Sequence, residues 1–417
     1  MRLLHFADLH LGVENYGRLD PSTGLHSRLT DFARSLEFTV DKALEEQVDV
    51  VVFAGDAYRN CNPNPTWQRE LARHLRKLQQ HEVPIAITVG NHDSPAAFGR
   101  ATSVDIFNAL GLKDTYVFRH PELIRIKTRS GLLQLAGLPW PTRHYLRADE
   151  RFKDLSPEHI NRQIAQICSA QIAEFSAQLN PDLPSVLAAH VTVAEATYSG
   201  SERSAMIGDD PVLTAATLAE SAFDYVALGH IHRHQNLNAH GTPPVVYSGS
   251  LERIDFGEAD EPKGFCLVEL GNGTGPSVEF VRTPARAFVT IEADATESED
   301  ATAAVLAAVD SSEVKDAVVR VTCLMQRGKS GAPQLDLNRI RAALSDAHCV
   351  AAITPRYCDA DETQRRASLS KEIAVDEALD RYLDNKPALQ PQRDALKTYT
   401  ARLERELAAI DSPPELS

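Results

Sequence analysis

A repeated unit constrains this chain most. A short uninterrupted apolar run is followed by a polar residue beside glycine or histidine, and then by an amphipathic helical stretch. Residues 2–6 read as a strand, and residues 28–46 as a helix with Leu29, Phe32, Leu36 and Val40 on one face. DVVVFA at 49–54 is a β-branched buried strand, 66–80 is a helix with the stripe Trp67, Leu71, Leu75 and Leu78, and PIAITV at 84–89 is again a strand. Residues 132–137, 185–189, 225–228 and 245–247 continue the series. Strands that are apolar throughout and alternate with helices belong in a sheet covered on both faces, so the pattern predicts a layered α/β fold. Open α/β sheets place ligands beyond the carboxyl ends of their strands, which is where the polar residues of this chain fall.

At 417 residues the chain is long enough for two or three domains. Its character shifts near Pro284-Ala285-Arg286. The expected division is 1–284, then a small α/β module at 285–360, then a helical segment at 361–417. The middle module carries strand-like runs at 288–292, 317–324 and 349–354 with helices around 301–309 and 338–346. In the last segment a polar stretch at 361–366 precedes two amphipathic helices, about 371–383 and 394–410. Ile373, Ala378, Leu379 and Leu383 stripe the first, and Leu396, Tyr399, Leu403 and Leu407 the second.

No stretch approaches the roughly 18 apolar residues that a membrane-spanning helix needs. An N-terminus that meets Asp8 so early reads as a first strand rather than a signal peptide, which points to the cytoplasm. Six cysteines form no CxxC and read as free thiols in a reducing compartment. The net charge of −15, from 43 basic and 58 acidic side chains, argues against nonspecific coating of nucleic acid. It leaves room for a nuclease with a local basic groove and metal ions at the scissile phosphate.

Five motifs follow the strands in order: Asp8-Leu9-His10, Gly55-Asp56, Gly90-Asn91-His92-Asp93, His190 and Gly229-His230-Ile231-His232. Any one alone is most simply a loop residue with its hydrogen bonds satisfied. All five together supply oxygen and imidazole donors suited to first-row divalent ions, and they predict one metal site. Two cations about 3.5–4 Å apart need a bridging carboxylate and clamp the attacking and leaving oxygens at phosphorus. On extended backbone, residues i and i+2 point the same way, so Asp8 and His10 are expected to grip one ion. His230 and His232 are expected to share a face and reach one ion each. The glycines before Asp56, Asn91 and His230 permit tight turns and close approach.

These motifs together resemble the calcineurin-like metallophosphoesterase superfamily over roughly residues 1–256. Within it, SGSLERIDFGE from Ser248, the following Lys263-Gly264-Phe265, and the loop Gly200-Ser201-Glu202-Arg203 are similar to SbcD-type DNA double-strand-break repair nucleases. The resemblance implies a layered β-sandwich flanked by helices, with a small α/β capping domain and C-terminal helices. It implies two divalent ions, typically manganese, with Asp8, His10, Asp56 and His232 on the first. Asp56, Asn91, His190 and His230 would hold the second, with Asp56 bridging. His92 would donate a proton to the leaving oxygen or stabilise charge on the phosphorane. Asp93 would orient its imidazole, or cap a helix before Ser94-Pro95.

Some members of the family have a histidine three residues after the bridging aspartate, where this chain has Arg59. That arginine would contact a phosphate or simply be a solvated surface residue. The partners implied are DNA ends, a second copy of the chain through the 66–80 and 98–110 region, and an SMC-like ATPase on the C-terminal helices. The helix 66–80 carries Arg69, Arg73 and Arg76 opposite its apolar stripe, and plain packing on the sheet accounts for that pattern equally well. The alternative function is a metallophosphatase or cyclic-nucleotide phosphodiesterase with a small substrate, which the negative charge favours. A silent scaffold would have no need of seven mutually consistent ligands.

Overall fold

A computed structural model describes residues 1–95, 99–142, 156–200, 210–271, 275–326, 334–358, 375–384 and 387–410. Ser201, Glu202, Arg203, Phe98, the polar stretch 361–366, Ile373 and the tail from 411 lie outside the described residues. The elements run β1 (Arg2–Phe6), α1 (Ser27–Glu45), β2 (Val50–Phe53), α2 (Pro65–Gln80), β3 (Ile85–Thr88), α3 (Asp105–Ala109), β4 (Thr115–Phe118), β5 (Glu122–Thr128) and β6 (Gly131–Leu138). Next come α4 (Pro157–Gln178), β7 (Ser185–His190), β8 (Thr192–Val193), β9 (Val212–Leu213), α5 (Ala215–Ala219) and β10 (Tyr225–Gly229). The series ends with β11 (Gln235–Asn236), β12 (Val245–Tyr247), β13 (Gly264–Glu269) and β14 (Ser277–Arg282).

Two six-stranded sheets result, in the orders β14-β13-β1-β2-β3-β4 and β11-β12-β10-β7-β6-β5. β1 to β4 are parallel in the first, and β6, β7, β10 and β12 are parallel in the second. The alternation of side chains along each strand divides the core into layers. In β2, Val50 and Val52 face the second sheet, joining Val186 and Ala188 of β7. Val51 and Phe53 face the other way, onto Leu29, Phe32 and Leu36 of α1 and Leu71, Leu75 and Leu78 of α2. On the far side Leu187 and Ala189 meet Ile160, Ile164, Ile172 and Phe175 of α4. The order is therefore helix, sheet, sheet, helix, a layered α/β sandwich. Each fully buried Leu, Val or Phe contributes roughly 1.5–3 kcal/mol of transfer free energy.

Local signals start the helices on the outer faces. The Asn64 side chain accepts from the N–H groups of Thr66 and Trp67, with Pro65 opening α2, and Ser156 with Pro157 does the same for α4. The sequence expectations named neither α4 nor the β13–β14 hairpin. The buried face of α4 is a narrow stripe that includes Asn161 and Cys168 among its isoleucines, and β14 is only half buried.

By its internal contacts the chain divides into two units. One is Met1–Ile291 with Ser311–Arg320 and Arg341–Ala352, and the other is Glu292–Asp310, Val321–Ile340 and Ile353–Ser417. The division crosses a three-stranded sheet formed by Phe288–Asp294, Val318–Gln326 and Cys349–Cys358. In the second unit, Asp380 on the helix Val375–Asp384 takes ion pairs from Arg393 at 2.6 Å and Lys397 at 2.5 Å on the helix Arg393–Ile410. No helix among the described residues is long and apolar enough to cross a membrane. All six cysteines are free thiols.

Candidate metal centre

The parallel strands of both sheets release their carboxyl ends along one edge of the first unit. β1 delivers Asp8 and His10, β2 delivers Asp56, β3 delivers Asn91, His92 and Asp93, β7 ends on His190, and β10 is followed by His230 and His232. Backbone conformation there departs from the extended geometry expected for the two paired motifs. Asp8 (φ 53°), His10 (φ 47°), Asp56 (φ 58°) and His230 (φ 103°) all have positive φ. Turns, and not strand parity, therefore aim Asp8 and His10 inward. Such conformations cost on the order of 1–3 kcal/mol each and persist where surrounding bonds over-determine them. Here the Asp8 N–H donates to Gly55 O and the His10 N–H to Asp56 O, both at 3.0 Å. Glycine is required beside them. A Cβ at Gly55 would lie 2.3 Å from His190 Nδ1, and one at Gly90 would lie 2.0 Å from Asp56 Oδ1.

The seven residues singled out as ligands meet in one buried cluster. His10 Nε2 and His232 Nε2 are 3.0 Å apart. Asp56 Oδ2 lies 3.4 Å from His190 Nε2 and 3.7 Å from His10 Nε2. Asn91 Oδ1 is 2.9 Å from His190 Nε2 and 3.1 Å from His230 Nδ1. Both oxygens of Asp8 accept the His230 N–H at 3.0 Å, and the His92 N–H donates to Asp56 Oδ1 at 2.8 Å. Ligand atoms of Asp8, His10 and His232 fall within 4.8 Å of one another. So do those of Asp8, Asp56 and His190, and those of His10, Asp56 and His92.

Two features of this geometry fit divalent cations. Imidazole nitrogens facing each other at 3.0 Å set two lone pairs in opposition unless a proton or a cation lies between them. His230 Nε2 is buried with no hydrogen-bond partner, and Asp210 Oδ2 lies 3.8 Å away. Charge says the same. Asp8 and Asp56 are essentially inaccessible, and buried carboxylates need paired positive charge. Burial by itself would raise Asp56 and lower His190. The attraction between them wins, holding Asp56 far below the ordinary carboxylate range and pushing His190 up to about 9. Without a cation, a proton on His190 supplies the positive charge that the acids require. His10 and His230 are lowered, chiefly by burial.

Fixed partners set the ring orientations. His190 Nδ1 bonds Ala54 O at 2.7 Å, which turns Nε2 toward the cluster. His232 Nδ1 is 2.8 Å from Glu258 Oε1. Glu258 in turn pairs with Lys263 at 2.9 Å and accepts from the Ile254 N–H, while Lys263 donates to His232 O at 3.1 Å. Burial would raise Glu258, but Lys263 and His232 outweigh it and hold the group ionised, well below the ordinary range. Sequence reasoning gave Glu258 and Lys263 no role. The available signal was only their place in the motifs SGSLERIDFGE and KGF, because the sequence around them is polar and acidic. Trp140 was also missed. It follows β6 in a Pro-Trp-Pro run, its N–H donates to Val89 O at 2.8 Å, and its ring lies 4.7 Å from that of His230.

Asp93 is expected to orient His92 or to cap a helix, and its described partners are these. Its carboxylate accepts from the N–H groups of Gly90 (3.1 Å), Asp56 (2.9 Å) and Ala57 (3.1 Å) and from Ser103 Oγ (2.8 Å). It buckles the loops after β2 and β3 together, while a helix following Ser94-Pro95 would fall on residues outside those described. The GNHD turn folds Asp93 beneath the loops and leaves His92 on the outside. His92 Nδ1 instead meets Arg59 O at 2.8 Å. Arg59 thus reaches the site through its carbonyl, with its side chain exposed.

Residues 1–234 match the family model described as calcineurin-like phosphoesterase. The chain is 30% identical over 275 residues to the SbcD component of the nuclease SbcCD from Bacillus subtilis (strain 168), covering 66% of this chain and 67% of that one. It is 28% identical over 292 residues to the protein of the same name from Escherichia coli, covering 68% of each. Among solved structures, a Thermus thermophilus protein aligns with a TM-score of 0.38 at 14% identity, over 67% of this chain and 99% of that one. A dimetal phosphatase from Danio rerio aligns with a TM-score of 0.37 at 11% identity, over 68% and 99%. Likenesses at that level say nothing of this site. The family match spans more than half of the sequence, and the strand-end residues that carry it converge on one buried centre: the chain belongs to the calcineurin-like phosphoesterase family of metal-dependent hydrolases.

Proposed function

We propose that the protein is a two-metal DNA nuclease that processes DNA ends in double-strand-break repair. The observation that carries this reading is the convergence of Asp8, His10, Asp56, Asn91, His190, His230 and His232 at the carboxyl edge of two parallel sheets. Relatives named as nucleases support the substrate class. On this reading Asp8, His10, Asp56 and His232 hold one ion and Asp56, Asn91, His190 and His230 the other, with manganese the expected metal. Bound divalent ions supply charge neutralisation at the phosphate and a lowered pKa for water.

The rest of the chemistry falls to the protein. Asp56 bridges the two halves of the site, and its Oδ1 accepts the His92 N–H, which places that imidazole at the rim. With Nδ1–H tied to the Arg59 carbonyl, the proton that His92 can give sits on Nε2. As the P–O bond breaks, that proton passes to the leaving oxygen. Glu258 and Lys263 keep His232 facing inward.

The segment 361–417 is proposed to dock an SMC-like ATPase, residues 285–360 to act as a capping domain, and helices of the 66–110 region to form a homodimer, with the protein working in the cytoplasm. Exposed Tyr382, Tyr399 and Leu403 on the C-terminal helices support the docking. A second reading, a phosphoesterase for a small diester, is favoured by the net charge of −15. Cleavage of an end-labelled linear duplex with manganese tests the first. Loss in His92→Ala and Asp56→Asn supports it. Intact DNA with two metal equivalents bound and the ATPase present transfers the case to the small substrate.

A further inference from the structure

Beside the metal cluster lies a cavity of about 510 Å³ whose walls include Ser94, Arg100, Arg119, His120, Trp140 and Thr142. Small-molecule sites typically span about 300–1,000 Å³, so a nucleotide-sized group is an appropriate occupant. Trp140 is the wall shared with the catalytic centre, because its ring is 4.7 Å from that of His230 and 6.0 Å from that of His190. The Trp140 backbone is anchored by its N–H on Val89 O, and its indole is only partly buried. Across the cavity, Arg119 Nε lies 3.0 Å from Asp105 Oδ1, which holds that guanidinium at the wall. Arg100 adds a second exposed cation. In a chain of net charge −15, Arg100 and Arg119 on one cavity, set against the carboxylate of Asp105, are a local excess of positive charge.

Neither the metal cluster nor the proton donor uses these groups. Aromatic faces and arginines together are what single-stranded nucleic acid binds, with bases stacking on the ring and backbone phosphates on the cations. We propose that this cavity is a subsite for the nucleotide next to the scissile phosphate, its base against Trp140 and its phosphate on Arg100 and Arg119. The assignment rests on the nuclease reading. It gives the site a preference for frayed or single-stranded ends, since a paired base cannot reach an indole in a cavity.

The chain has two tryptophans, so Trp67→Phe leaves Trp140 as the sole indole emitter. The probe is a phosphorothioate-linked tetrathymidylate, titrated into the manganese-loaded full chain while fluorescence is followed. A saturable change is expected, with its midpoint raised about tenfold or more in Arg100→Ala/Arg119→Ala at unchanged metal content. Arg100→Ala alone, at an exposed position, guards against misfolding of the double variant and should show an intermediate shift. No emission change, or equal midpoints with and without the arginines, overturns the subsite. The two readings fail differently. A parent chain that binds the probe yet never cuts a duplex sinks the nuclease reading alone. Arginine variants that cut frayed duplex with parental KM sink the subsite alone.

Discussion

Asp8, His10 and Asp56 leave the first sheet on backbone of positive φ, pinned by main-chain hydrogen bonds between neighbouring strand ends. His190 and His232 come from the second sheet, and side-chain or carbonyl partners hold their rings: Ala54 O for one, Glu258 backed by Lys263 for the other. Main-chain bonds thus fix Asp8 and His10 in one half, while in the other a chain of buried side chains, Glu258 and Lys263, aims His232. A backbone-built half keeps its shape when a ligand is trimmed. A side-chain-built half loses its aim when a supporting residue changes, even though every ligand is still present.

The largest expected effect comes from the residue that both halves share. Asp56→Asn should lower manganese-dependent phosphodiester cleavage on the order of a thousandfold, because several kcal/mol of transition-state stabilisation depend on the ions it would bridge. Elemental analysis should show fewer than two equivalents bound, and full activity in that variant would refute the bridge.

Asp93→Ala attacks the backbone-built half without touching a ligand. Three N–H groups lose their acceptor inside the protein, so urea unfolding should show a loss of about 3 kcal/mol. Stability within about 0.5 kcal/mol of the parent would mean that the buckle between the two loops does not matter.

Glu258→Gln strikes the other half. Metal affinity should fall about 10- to 100-fold in calorimetric titration, while the fold is retained. An unchanged affinity would remove the distinction between the two halves.

The smallest effect is a pH dependence. In metal-free protein the His190 pKa of about 9 exceeds the ordinary 6.5, so its pairing with Asp56 stabilises the fold fully below pH 6.5. That contribution is lost as pH rises through about 9. Melting temperatures should therefore fall over this range for metal-free protein and stay nearly level with manganese bound, when the imidazole is already neutral.

Residue type and position after a strand singled out residues that the fold brings together, since Asp8, Asp56, Asn91 and His190 each follow a run of apolar residues that is readable in isolation. The apolar runs also predicted the layered α/β class, because strands buried on both faces have no polar alternation to hide. Other matters are relations between segments far apart in the chain. The left-handed turns at Asp8, His10 and Asp56 depend on bonds to strand ends remote in sequence. Asp93 looks like a partner for the adjacent His92, and only the folded turn shows it serving Gly90, Asp56 and Ala57. Glu258 and Lys263 have no role in the sequence beyond their place in two motifs until burial and the 2.8 Å contact of Glu258 with His232 give them a purpose. The sequence by itself determined which chemistry the strand ends can perform, because donor type is local. Tertiary structure alone decided what holds those donors in place, because orientation is set by partners that no local window contains.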